Sequence, residues 1–279
     1  DPDFIGPIRG NMQRIGDSDR SVHDISNAVS HSIGEPLKRF IYVENHDEVA
    51  NGKTRFSYEV CPGCTGSWLA RKRTTLGVAL MMTSPGVPLL FQGQEFLTGG
   101  WFSAEQNLDW SKAEAYQKTV LLYRDVIALR RNIDGKSAAL MSPHVRVFHK
   151  DESAKILAFH RWVEMDSTED QDLVVIVNHA IKPAFRYRIG FPKEGRWEAI
   201  FDSNSPSYLY RGDFILAATI QVTTEDLQGN GSDRSIAIDI APYSCIVYRW
   251  SQWSQVDEVD KGRGSDLALL IISLLALLI

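Results

Sequence analysis

The chain has 279 residues, 44% of them hydrophobic and 23% charged, with a formal net charge of -5. That length suits one large domain or two medium ones, and the composition is that of a globular protein. Acidic and basic side chains are interspersed without a long basic run, which argues against nucleic acid as a partner.

The N-terminal stretch DPDFIGPIRGNM lacks the basic leader and apolar centre of a signal peptide, and its missing Met suggests a piece of a longer chain. Residues 20–30 carry scattered apolar positions and read as a weak helix. Lys38 to Val43 is apolar, with aromatic and β-branched members, and reads as a buried strand. It breaks off at Glu44-Asn45-His46-Asp47-Glu48. Cys61-Pro-Gly-Cys64 follows as a turn. A plain loop is the expectation there, with a redox pair or a partial metal site as alternatives. No second Cys-x-x-Cys supplies a zinc set, and no metal or cofactor is expected.

Ser67 to Thr83 places Trp68, Leu69, Leu76, Val78, Ala79, Leu80 and Met82 around one helical face, and Pro85 stops the helix. Within it, Arg71, Lys72 and Arg73 read as a solvated face. Val87 to Phe91 is a second buried strand, followed by a Gly- and aromatic-rich loop from Gly93 to Trp110. From Ser111 to Arg131 runs the strongest helical pattern, with Ser111 and Glu114 spaced as a capping box.

Strand, helix, strand, helix over residues 1–133 implies parallel strands with crossover helices. After Asp134-Gly135 the pattern changes. HVRVFHK, KILAFHRW, DLVVIVN, FRYRIG, RWEAIFD, SIAIDIA and SCIVYRW are short β-rich runs, and turn residues separate most of them. They predict an antiparallel sandwich over residues 134–250, with Phe159, Val174, Ile176 and Ile246 inside. Residues 251–279 end in an apolar run, Leu267 to Ile279. Its 13 residues fall short of the roughly 20 that a membrane span needs, so the tail is not expected in the fold and a membrane is not an expected partner.

In parallel α/β sheets and barrels, active groups gather at the C-terminal ends of strands. His46-Asp47 follows the first strand directly, and Gln92, Gln94 and Glu95 follow the second. Two consecutive strands thus deliver polar groups to one face. An ordinary polar loop, with Asp47 as a cap and His46 packed, is the competing reading. A Gly-x-Ser-x-Gly elbow is absent from the sequence, which disfavours a serine hydrolase.

The stretch FIYVENHDEVANGK resembles the seventh-strand motif of glycoside hydrolase family 13, the α-amylase family, and SPGVPLLFQGQEF resembles its eighth-strand segment. Asp-Glu-Val after Asn-His, the later Gly-Lys, and WFSAEQNLDW before a long helix are most similar to α-glucan branching enzymes. DPDFIGPIRGNM and DSDRS resemble the preceding sixth unit, and ILAFHRW with LVVIVNHA resembles the all-β domain after the barrel.

The resemblance implies the C-terminal part of a (β/α)8 TIM barrel over residues 1–133, followed by an amylase-type all-β domain. It implies a retaining enzyme acting on starch, glycogen or maltooligosaccharides, branching by glycosyl transfer or, alternatively, hydrolysing as an amylase does. A third reading is a non-catalytic carbohydrate-binding fragment. Asp47 would stabilise the transition state, and His46 would bond a hydroxyl of the same sugar. Asn45, Glu95, Trp101 and Trp110 are the substrate-binding candidates, although the structural reading of Glu95 is the stronger one and the tryptophans can be loop anchors. Nothing in the sequence matches the family's nucleophile and acid/base strands. About 250 residues make a full barrel, so the missing N-terminal half of the barrel is an expected partner and the chain alone is expected to be inactive. The cytoplasm is the expected location.

Overall fold

The computed structural model describes residues 1–31, 36–50, 52–164, 171–225 and 233–251. The apolar run Leu267–Ile279 lies outside them. At the N-terminus, the Asp1 side chain accepts from the Asp3 amide and caps α1 (Pro2–Gln13), with Pro2 in the first turn where no donor is needed. Ser21 caps α2 (Val22–Ser30) through the Asp24 amide at 3.0 Å. The two helices pack together and bury Phe4, Ile8, Met12, Val22, Ile25 and Val29.

The two expected parallel strands are adjacent and parallel, but short. β1 (Phe40–Ile41) pairs with β2 (Val87–Pro88) in the register Phe40↔Val87 and Ile41↔Pro88. The ladder stops because its next groups turn elsewhere. Glu44 dips into the interior to meet Arg55, and the Phe91 amide bonds the Gln94 side chain at 3.0 Å. Phe40 and Val87 stay exposed on one face. Among the described residues no barrel closes, so the expected barrel portion is not evident as such. Between β1 and β2 lie α3 (His46–Val49), α4 (Phe56–Val60) and α5 (Trp68–Thr83).

The Arg71-Lys72-Arg73 face of α5 is not solvated. Arg71 pairs with Asp213, the Lys72 ammonium reaches Asn204 Oδ1 at 2.8 Å, and Arg73 donates to Met12 O, Ile15 O and the Tyr243 hydroxyl. The cause is position: α5 contacts α1, α4 and α7 on one side and the β-domain on the other. Its long basic side chains therefore have protein around them. Burial lowers the Lys72 pKa to about 8.

The helical run after Ser111 is two helices, α6 (Ser111–Ala115) and α7 (Gln117–Arg130), broken at Tyr116. The expected capping box does not form. Trp110 stands at the N-cap, and the Ser111 hydroxyl is turned away to donate to Asp109, which also accepts from the Ser111 amide at 3.2 Å. Tyr116 lies over Gly66, where a β-carbon would collide with the Tyr116 hydroxyl.

The all-β region is antiparallel throughout. β3 (Val145–Asp151), β4 (Ile156–Arg161), β5 (Leu173–Asn178), β10 (Ser244–Ser251), β7 (Arg196–Asp202) and β8 (Gln221–Thr223) form one sheet in that order. A ribbon of β6 (Ala184–Gly190) and β9 (Ser235–Ile240) forms the other layer. Every residue of β4 and β5 is buried. The period of two sorts them onto two cores. Leu157, Phe159, Val175 and Val177 meet the helices, while Ile156, Ala158, Val174 and Ile176 meet Ile189, Phe191, Ile236 and Ile238. Phe159, Val174, Ile176 and Ile246 are all inside, as expected. The three-residue β8 escaped the sequence reading because it is too short to show alternation.

A buried arginine ties the layers together. Arg161 of β4 donates to His144 O at 2.8 Å, Leu140 O at 3.1 Å and Ser142 O at 2.6 Å, and also to Thr83 O at the end of α5. The turn expected to be a plain loop carries a disulfide between Cys61 and Cys64, whereas Cys245 is buried and free. Among the described residues no helix is long and apolar enough to cross a membrane, and no cluster could hold a metal ion.

Candidate active site

The end of β1 builds the site. Asn45 is the N-cap of α3, and its side-chain oxygen accepts from the Glu48 amide at 2.8 Å. This is the local reason for the turn: an Asx cap stops the strand and starts one helical turn. The Asn45 oxygen is thereby committed to the backbone. His46 and Asp47, the first residues of that turn, project outward. Their side chains lie 3.3 Å apart and each is 71% exposed. The competing cap role falls to Asn45, so the Asp47 carboxylate has room for a ligand. Glu48 turns to Lys53 at 3.2 Å. Burial, reinforced by the carboxylates of Glu48 and Asp47, raises the Tyr42 phenol above its ordinary value.

Beneath this exposed pair sits a buried one. Glu44 and Arg55 are each 2% exposed and 3.1 Å apart. Glu44 also accepts from the Phe56 amide at 2.6 Å, and Arg55 donates to Gln92 O at 2.8 Å while lying over the Phe91 ring. Burial raises the Glu44 pKa against the opposing pull of Arg55. The sequence reading missed this pair. Its available signal was an acid inside an apolar run, immediately before the polar cluster.

The loop after β2 comes to the same end. The Arg55 amide donates to Gly100 O at 2.7 Å, and the Phe102 amide to Val49 O at 2.6 Å. These two bonds flank Trp101, which is 57% exposed, and hold its backbone against α3. Trp110 is 67% exposed and leans on Phe96, with ring centroids 5.4 Å apart. Glu95 lies elsewhere, in an apolar groove of about 420 Å³ with Leu90, Val120, Tyr123 and Ile127. So the loop that carries Trp101 is tied by its backbone to α3, the turn that carries His46 and Asp47, and no described contact joins Glu95 or Trp110 to that turn.

Residues 147–251 match the family of the alpha amylase C-terminal all-beta domain. The 1,4-alpha-glucan branching enzyme GlgB of Rhodospirillum rubrum is 29% identical over 236 residues, 81% of this chain and 30% of that protein. The GlgB of Pseudomonas syringae pv. tomato is 27% identical over 76% of this chain and 28% of its own length. Among solved structures, pullulanase type I of Bacillus subtilis, complexed with maltose, superposes with a TM-score of 0.62 at 18% identity, over 90% of this chain and 35% of that one. The chain therefore spans about 30% of the curated relatives it matches. The all-β region is the amylase-type C-terminal domain.

Proposed function

We propose that this chain is part of a 1,4-α-glucan branching enzyme, and that residues 1–133 are the last units of its (β/α)8 barrel. The observation that carries the reading is the exposed His46–Asp47 pair at the end of a strand paired in parallel with its neighbour, beside Trp101. The likeness to GlgB proteins over 76–81% of the chain supports it.

In this reading a linear α-glucan lies across the strand ends. Trp101 offers a face to a sugar ring, and His46 bonds a hydroxyl. As the glycosidic bond breaks, the ring becomes cationic, and the Asp47 carboxylate stabilises that charge where it develops. The nucleophile and the acid/base would stand on barrel strands beyond the two parallel strands described. Phe40, Val87 and Leu90 are exposed apolar side chains such strands would cover. Whether a sugar hydroxyl or water accepts the glycosyl group defines branching against hydrolysis. The test is product analysis of the full-length protein on amylose by proton NMR. New α-1,6 linkages without a matching rise in reducing ends are expected. Reducing ends alone would mean hydrolysis, and neither product would remove the reading.

A further inference from the structure

We infer that the buried Glu44–Arg55 pair is a positioning device, one that fixes the distance between the His46–Asp47 turn and the Trp101 loop. The inference rests on the active-site reading above and names residues in it that touch no substrate. Three segments distant in sequence meet at Arg55, two at its guanidinium and one at its backbone amide. Glu44 belongs to the end of the β1 segment and leads directly into Asn45, His46 and Asp47. Gln92 offers its carbonyl from the segment after β2. Gly100, which accepts from the Arg55 backbone amide, precedes Trp101.

Geometry decides why these residue types are needed. Both bonds leave one terminal nitrogen, Arg55 Nη1, whose two hydrogens lie in the plane of the guanidinium, so bonds to Glu44 and Gln92 O set the angle between the two segments as well as their separation. The Phe91 ring, with its centroid 4.7 Å from the guanidinium carbon, limits tilting. Glu44 uses both oxygens, one on Arg55 and one on the Phe56 amide, and this anchors the start of α4 to the same point. With both partners 2% exposed, neither can exchange its bonds for water. A solvated pair would let the two loops drift apart, whereas a buried one makes their separation a property of the fold.

The experiment uses hydrogen–deuterium exchange of the whole chain, read by peptide, and maltohexaose binding by calorimetry. The variants are Glu44→Gln, which leaves a buried guanidinium without its counter-charge, and the milder Arg55→Lys, which keeps the charge and loses the fixed planar direction of the Nη1 hydrogens. Ile176→Val, in the β-domain core, is the stability control. Exchange in peptides covering residues 45–50 and 99–103 should quicken about tenfold in both variants, as expected when a charge-assisted contact is lost. It should stay at the wild-type rate in β4 and β5. Maltohexaose affinity should fall by about the same factor. The control, matched for loss in melting temperature, should change neither reading.

If Glu44→Gln does not fold, Arg55→Lys carries the test. Wild-type exchange in both loops for every folded variant would overturn the positioning role. So would faster exchange spread evenly through the chain, which marks a merely structural pair. Failure of the wild type to bind maltohexaose would count against the active-site reading alone, since the exchange measurement needs no ligand.

Discussion

The all-β domain and the helical region are held together by different chemistry. In the β-domain, strands pair edge to edge, and apolar side chains on alternating positions fill two cores. Among the described residues the helical region has only a two-residue parallel ladder, and much of its order comes from buried arginines that donate to backbone carbonyls. Arg20 reaches Asn11 O, Arg14 O, Ile15 O and His179 O. Arg130 reaches Met82 O, Ser84 O and Gly86 O. The contrast teaches where function can be placed. Apolar packing is tolerant of detail and suits a supporting domain, while directional bonds from guanidinium groups hold irregular loops in one geometry, as a site at strand ends requires.

The largest effect should come from breaking a directional hub. Arg161→Ala removes donors from His144 O, Thr83 O, Leu140 O and Ser142 O at the seam. Orphaned buried acceptors cost about 1–3 kcal/mol each, so a total loss of about 4 kcal/mol or more is expected in urea unfolding. Ile176→Ala, in the fully buried β5, should cost about 3 kcal/mol by cavity formation. If the apolar deletion proves much the more damaging of the two, the contrast drawn here fails.

Lys72 sharpens the comparison through pH. Its folded pKa is lowered to about 8 from 10.5, so the unfolded chain holds the proton over that interval and the folded chain releases it. Stability must then rise with pH between about 8 and 10.5, by an amount on the order of 1–3 kcal/mol from this one group. Lys72→Met should lack that rise, and the difference between the two unfolding curves across this pH range measures it. A parallel pair of curves would show Lys72 to be solvated after all. The smallest stability effect belongs to Asp47→Asn. At 71% exposure, this change should alter the unfolding free energy by less than about 0.5 kcal/mol.

The same division explains what the sequence disclosed. Seven of the β-strands were legible because alternation is local and the runs are bounded by turn residues. The His46–Asp47 strand end was legible because an abrupt loss of apolar character shows in a few letters. Glu44 and Arg55 were not, since their pairing spans 11 residues and an isolated arginine reads as solvated. Arg71, Lys72 and Arg73 misled for the same reason. Their burial depends on a β-domain more than a hundred residues further along, and no local pattern carries it. Ser111 misled differently: nearby Asp109 engages its hydroxyl, and the helix starts one residue earlier, with Trp110 at the N-cap.

The most direct test of the central claim is steady-state kinetics of Asp47→Asn in the full-length protein on amylose, with circular dichroism to confirm folding. Asparagine keeps the size and a hydroxyl contact but not the charge, so the loss should fall on the transition state. Turnover should drop roughly a hundredfold to a thousandfold with the Michaelis constant little changed. His46→Ala, which removes a contact and no charge, should lose less. Near-wild-type turnover in a folded Asp47→Asn protein would contradict the account and leave the turn after β1 as a polar loop capped by Asn45.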